Sequence, residues 1–149
     1  MSSPSVSRVV ALADSNGWQT CVEKTRQERG EYGQFFTPTA IARYLAGWFQ
    51  PEGFNRQSLH LLDPRAGGGV LTAAVVDRIT TLHANGSLPD LEEVTLEVWE
   101  LDEAFLPALR QNLSACAALL RQAGIRTTVQ LNHGIGHFHI FFLTLSIAH

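Results

Sequence analysis

The chain has 149 residues, 45% hydrophobic and 17% charged, which suits one globular domain and excludes a disordered polyelectrolyte. Eleven Lys and Arg against fourteen Asp and Glu leave a formal charge of −3, so binding of nucleic acid through bulk positive charge is excluded. The only cysteines, Cys21 and Cys116, form no CxxC pair, so neither a disulfide framework nor a zinc site is expected.

Residues 5–29 read as helical, with Val6, Val9, Val10 and Ala13 at helix spacing and a break expected at Asn16-Gly17. Residues 28–36 hold two glycines and no hydrophobic period, and read as a loop. A helix should follow, with Thr37 as N-cap and Pro38 in its first position. Ile41, Leu45, Trp48 and Phe49 would form its apolar stripe, and Pro51-Glu-Gly its end.

From residue 58 the pattern changes. Leu59 to Asp63 reads as a short strand entering a glycine-rich turn, Pro64 to Gly69, and Val70 to Ala84 as a helix. Its inward residues would be Leu71, Ala74, Val75, Ile79 and Leu82, with Asn85-Gly86 closing it. Glu93 to Glu100 reads as a strand, with Val94, Leu96 and Val98 on one face and Trp99 on the other. Asp102 can cap a helix running through Ala123, with Gly124 at its end, and Ile125 to Leu131 is a third strand. This βαβαβ order predicts an α/β fold, a parallel three-layer sheet with right-handed crossovers.

After Arg126 there are 23 residues with no Lys, Arg, Asp or Glu, and they hold four of the six histidines. An out-of-frame extension or a premature end would produce such a tail; the alternative is an apolar strand, Phe138 to Leu145, on the sheet edge. The tail's longest apolar run falls far short of the ~20 residues of a membrane helix. Met1 to Leu12 shows no apolar signal segment, so a cytoplasmic protein without a membrane partner is expected. His133, His137 and His139 have no carboxylate nearby in sequence, so no metal is assigned to them.

Two features carry chemistry. In Leu61-Leu-Asp-Pro-Arg-Ala-Gly-Gly-Gly-Val70, a strand ends in an acid and a glycine turn opens a helix. Glycines let a ligand approach the backbone, and helix N–H groups polarise what sits there. Glu100 ends the next strand, where a carboxylate can accept hydrogen bonds from both hydroxyls of a ribose. Together they point to a nucleoside-containing cofactor across adjacent strand ends. A GxGxxG dinucleotide site would need Gly where Thr72 stands, and Asp63 would repel a pyrophosphate. An acid there instead suits the sulfonium of S-adenosylmethionine. The competing reading is a nicotinamide-dependent oxidoreductase half domain.

Upstream, Gly33-Gln-Phe-Phe-Thr-Pro38 resembles the Gly-x-Phe-x-Thr-Pro motif of N6-adenine DNA methyltransferases. With Asp63-Pro-x-Ala-Gly-x-Gly69 and Trp99-Glu-Leu-Asp102 following in that order, residues 28 to 131 look like the adenine-specific methylases of restriction–modification systems. The resemblance implies a partial Rossmann-like S-adenosylmethionine-dependent methyltransferase fold: residues 1–57 as an N-terminal helical region with the cofactor loop, 58–131 as a partial α/β domain, and 132–149 as an atypical tail. It also implies roles. Phe36 and Thr37 would cradle the methionine end. Asp63, Ala66, Gly67 and Gly69 would line the methionine and ribose side. Glu100 would hold the ribose hydroxyls, and Leu101 would pack on the adenine ring. Double-stranded DNA would be the partner of a full-length enzyme.

The sequence departs from that pattern in three places. Arg65 stands where a small residue is usual, and no acid follows the third strand, where Asn132-His-Gly134 leads into Ile135. The catalytic Asn/Asp-Pro-Pro-Tyr/Phe tetrapeptide, which would bond the target amino group and stack on the flipped base, is absent. None of the six prolines follows Asn or precedes Pro. Methyl transfer by this chain alone is therefore not expected, and a second chain completing the sheet is the alternative role. The resemblance implies about seven strands against three or four here, so an open edge at Ile125 to Leu131 is expected to make the chain dependent on a partner or poorly soluble.

Overall fold

The computed structural model describes residues 7–22, 37–50 and 57–134. In chain order these form α1 (Arg8–Val22), α2 (Thr39–Ala46), β1 (Ser58–Asp63), α3 (Val70–Ala84), β2 (Glu93–Glu100), a 3-10 turn (Glu103–Phe105), α4 (Leu106–Gln122) and β3 (Arg126–His133). The strands make one parallel sheet in the order β1-β2-β3. The expected α/β fold is present: a partial Rossmann-like parallel sheet flanked by helices and preceded by an N-terminal helix.

Registered neighbours share a face of the sheet. Leu59, Val94 and Thr127 lie side by side, as do Leu61, Leu96 and Val129, and Asp63, Val98 and Leu131. That face is the buried one: Val94, Leu96 and Val98 join side chains from all four helices in a single core. Successive right-handed crossovers stepping the same way place their helices on one face. The opposite face carries Ser58, His60, Leu62, Glu93, Thr95, Glu97, Trp99 and Arg126, with Leu62 46% exposed. Of the three layers expected, the described residues supply two.

β2 and α3 have the boundaries the hydrophobic pattern predicts. The inner face of α3 is broader than expected. Val70, Thr72, Ala73 and Val76 are buried along with Ala74, Ile79 and Leu82, because the helix packs on α1, α2 and α4 at once. Asp102 caps the 3-10 turn by accepting from the Ala104 N–H at 3.0 Å, and Gly124, at φ +84°, follows the end of α4. On α4, burial pushes the Cys116 thiol up to about 12, and the charge of Asp77 adds to the shift.

Two local expectations fail. Helix α1 runs unbroken through Asn16-Gly17. Gly17 is buried in mid-helix, seated against Gly68 of the glycine loop, so it provides a flat contact rather than a helix end. Helix α2 begins at Thr39 with Pro38, not Thr37, as its N-cap, and no side chain caps it. Its buried residues are Ala42 and Ala46, small enough to let it lie close to α3. Ile41 and Trp48, expected inside, are 49% and 66% exposed and form an outer ridge with Tyr44. Among the described residues no helix is long and apolar enough to cross a membrane. The tail's proposed strand and its histidines His137 and His139 lie outside the described residues.

Candidate functional site

The expected crevice corresponds to the junction at the carboxyl ends of β1 and β2. Asp63 is the last residue of β1, and the chain then turns through the glycines, Gly67 at φ 53° and Gly69 at φ 81°, into the first turn of α3. Backbone bonds fix this turn in two places: the Ala66 N–H donates to the Trp99 carbonyl at 3.0 Å, and the Gly69 N–H to the Ala66 carbonyl at 2.8 Å. The loop is thus tied to β2 and closed on itself.

Glu100 completes the wall. Its carboxylate accepts from the Gly67 N–H at 2.6 Å through Oε2 and from the Asp102 N–H at 2.8 Å through Oε1. The residue is only 7% exposed, so these two bonds offset the cost of burying the charge and set its orientation. The glycine turn and the acid of the next strand are joined directly by the Gly67–Glu100 hydrogen bond. Asp63, Ala66, Gly67 and Glu100 meet at this junction, whereas Gly69 is buried and turned toward Leu109 of α4.

Asp63 accepts from the Thr72 hydroxyl at 2.6 Å, while the Arg65 N–H lies 3.4 Å from its other oxygen. Burial raises its pKa above the usual 3.8, and the charge of Glu100 raises it further; the Thr72 and Arg65 bonds work in the opposite direction. A desolvated acid beside a second acid gains by receiving a positive group and repels a polyanion. Arg65, the residue out of place in the motif, has an exposed side chain.

The remaining expected residues stand apart. Leu101 follows Glu100 and is half-buried; its carbonyl accepts from His133 Nε2 at 3.0 Å, which ties the end of β3 to the rim. Thr37 is half-buried ahead of α2, and no hydrogen bond among the described residues joins it to the loop. Phe36, with the rest of Gly33 to Phe36, lies outside the described residues.

Sequence reasoning missed Thr72, Asn112 and Asn16. Thr72 stands in the first turn of α3 and anchors Asp63. Asn112 donates its side-chain amide to the Gly68 carbonyl and accepts from Asn16. A signal existed for Asn112: it is the one polar member of the buried row Leu109, Asn112, Leu113, Cys116, Ala117 and Leu120 on α4.

No protein-family model matches the chain, and no solved structure matches it. The chain is similar to the type II methyltransferase M.BsuBI of Bacillus subtilis, at 31% identity over 88 residues, 59% of this chain and 16% of that protein. It therefore spans about a sixth of the length of the curated relative it matches.

Proposed function

We propose that this chain binds S-adenosylmethionine and corresponds to the cofactor-binding N-terminal part of an adenine-N6 DNA methyltransferase. The observation that carries this reading is the junction of the two strand ends, where the Glu100 carboxylate is held by the Gly67 N–H beside the desolvated Asp63. A carboxylate offers about four acceptor sites in all, which suits Glu100 to a vicinal diol. Asp63 suits a sulfonium, and Gly67, at positive φ with open space where a Cβ would stand, leaves room for a ligand to approach the backbone. When bound, the cofactor supplies an electrophilic methyl group. The similarity to a type II methyltransferase supports the same assignment, with double-stranded DNA as the substrate of a complete enzyme.

The chain lacks the Asn/Asp-Pro-Pro-Tyr/Phe tetrapeptide, so on this reading it binds the cofactor without transferring the methyl group unless another polypeptide completes it. Titration calorimetry with millimolar S-adenosylmethionine tests the assignment. Saturable heat that NAD does not compete away is expected. A folded protein, verified by circular dichroism, that gives no heat would sink it.

A further inference from the structure

We infer that Asn112 is a positioning residue for the glycine loop, an inference that rests on the cofactor-binding reading above. Asn112 sits on the inner face of α4, 1% exposed, among Leu109, Leu113 and Cys116. An amide buried among apolar side chains costs free energy unless its donor and acceptor are both used. Here both are. Its Nδ2 donates to the Gly68 carbonyl at 2.5 Å, and its Oδ1 accepts from Asn16 Nδ2 at 2.8 Å. Chemistry fixes the orientation of this amide, because the Gly68 carbonyl oxygen can only accept.

The peptide unit between Gly68 and Gly69 is consequently held at both ends, its N–H by the Ala66 carbonyl and its C=O by Asn112. Two peptide units upstream is the Gly67 N–H that orients Glu100, in the same unit as the Ala66 carbonyl that accepts from Gly69. Gly67, Gly68 and Gly69 have no Cβ to restrict φ and ψ, so the loop cannot hold its own shape through side-chain sterics. Asn112 supplies the restraint from outside the loop, reaching across from α4, whose Leu109 packs against Gly69. Its role is to keep the Gly67 N–H aimed at Glu100, and thereby to keep the carboxylate turned toward a ribose.

Asn112→Asp separates this role from simple helix gluing. The carboxylate can still accept from Asn16, but it cannot donate to Gly68 and sets oxygen against oxygen there. Asn16→Ala does the reverse: it removes the α1 bond and leaves the donor to Gly68. Two readouts are taken on the full chain: amide hydrogen exchange of Gly67 without ligand, and the Kd for S-adenosylmethionine by calorimetry. Asn112→Asp should speed Gly67 exchange at least about tenfold, leave the β2 amides protected, and weaken the cofactor about tenfold. Asn16→Ala should move both by less than about twofold, although it lowers Tm. Asn112→Ser, whose hydroxyl is too short to reach Gly68, carries the same test if the Asp variant does not fold.

Equal effects of Asn16→Ala and Asn112→Asp on Gly67 exchange would overturn the inference, as would an Asn112→Asp variant with unchanged exchange. If the unmodified protein binds no cofactor, the functional assignment fails on its own, and the exchange readout still decides what Asn112 does.

Discussion

Gly68→Ala probes whether α1 is seated on the loop that shapes the crevice. Gly68 is not among the glycines of positive φ, so an alanine there meets no backbone strain, only a steric one. Its Cβ would fall 2.6 Å from Gly17 Cα and 3.2 Å from both the Ala13 carbonyl oxygen and the Gly17 nitrogen. Non-bonded carbons pack at about 3.5–4.0 Å, so α1 must retreat by roughly 1 Å. The obstructing atoms are all backbone, and no rotamer change relieves them. Such overpacking costs about 1–3 kcal/mol, a Tm loss of about 3–10 °C in a domain of this size. The assay is a thermal melt followed by circular dichroism, with amide exchange of α1 as the local readout. Gly86→Ala is the control: its Cβ meets nothing within 4 Å, and only the φ of +81° opposes it. It should cost about 1–2 kcal/mol and leave α1 exchange unchanged. The reasoning is refuted if Gly68→Ala melts with the parent, or destabilises without loosening Ala13 to Gly17.

Two substitutions separate the acids of the crevice. Asp63 has a raised pKa in the folded state, so the fold loses stability as pH rises from about 3.8 through that raised value, and the cost is constant above it. Asp63→Asn, which can still accept from Thr72, should therefore raise Tm at neutral pH, with the gain vanishing as pH falls below 3.8 in a pH-resolved melt. The same variant should bind S-adenosylmethionine about 10- to 100-fold more weakly, since it loses a charge-assisted contact, and calorimetry checks this. Glu100→Gln should fail differently. Both Glu100 oxygens accept backbone N–H groups, so the new NH2 must face a donor in either orientation. Denaturant titration should show about 1–3 kcal/mol of lost stability, together with loss of cofactor binding.

The elements were legible where one physical signal acted alone. β2 alternates cleanly because one face is core and the other is not, and α3 ends where Asn85-Gly86 stops it. The crevice acids were legible because their places, at the ends of β1 and β2, follow once the strands are assigned. The errors came where two signals competed. Gly17 is a poor helix former, and in sequence it reads as a break; in the fold its missing side chain is what lets α1 approach Gly68. On α2, Ile41 suggested the inner face, whereas the close contact with α3 selected Ala42 and Ala46; the helix also ends at Ala46 rather than at Pro51, leaving Trp48 in the turn beyond it. Asn112 was read past because its partner, a backbone carbonyl 44 residues earlier, is invisible to any local pattern.

The distribution of these contacts bears on what so short a chain can do. Everything that shapes the crevice lies within β1, the loop, α3, β2, α4 and α1: Asp63 with Thr72, Gly67 with Glu100, and Gly68 with Asn112 and Gly17. None of these contacts draws on the opposite face of the sheet. That face has its own polar bridging, with His60 Nε2 at 2.8 Å from Glu97 Oε2 and Trp99 Nε1 donating to Glu97 Oε1 at 2.9 Å. An apolar helix laid there would have to desolvate Glu97, Glu93 and Arg126, at a cost that pairing among exposed groups does not offset. On the proposed reading, cofactor binding and methyl transfer are separable: the ribose side of the site rests on contacts internal to the described elements, whereas transfer needs a catalytic tetrapeptide the sequence does not contain.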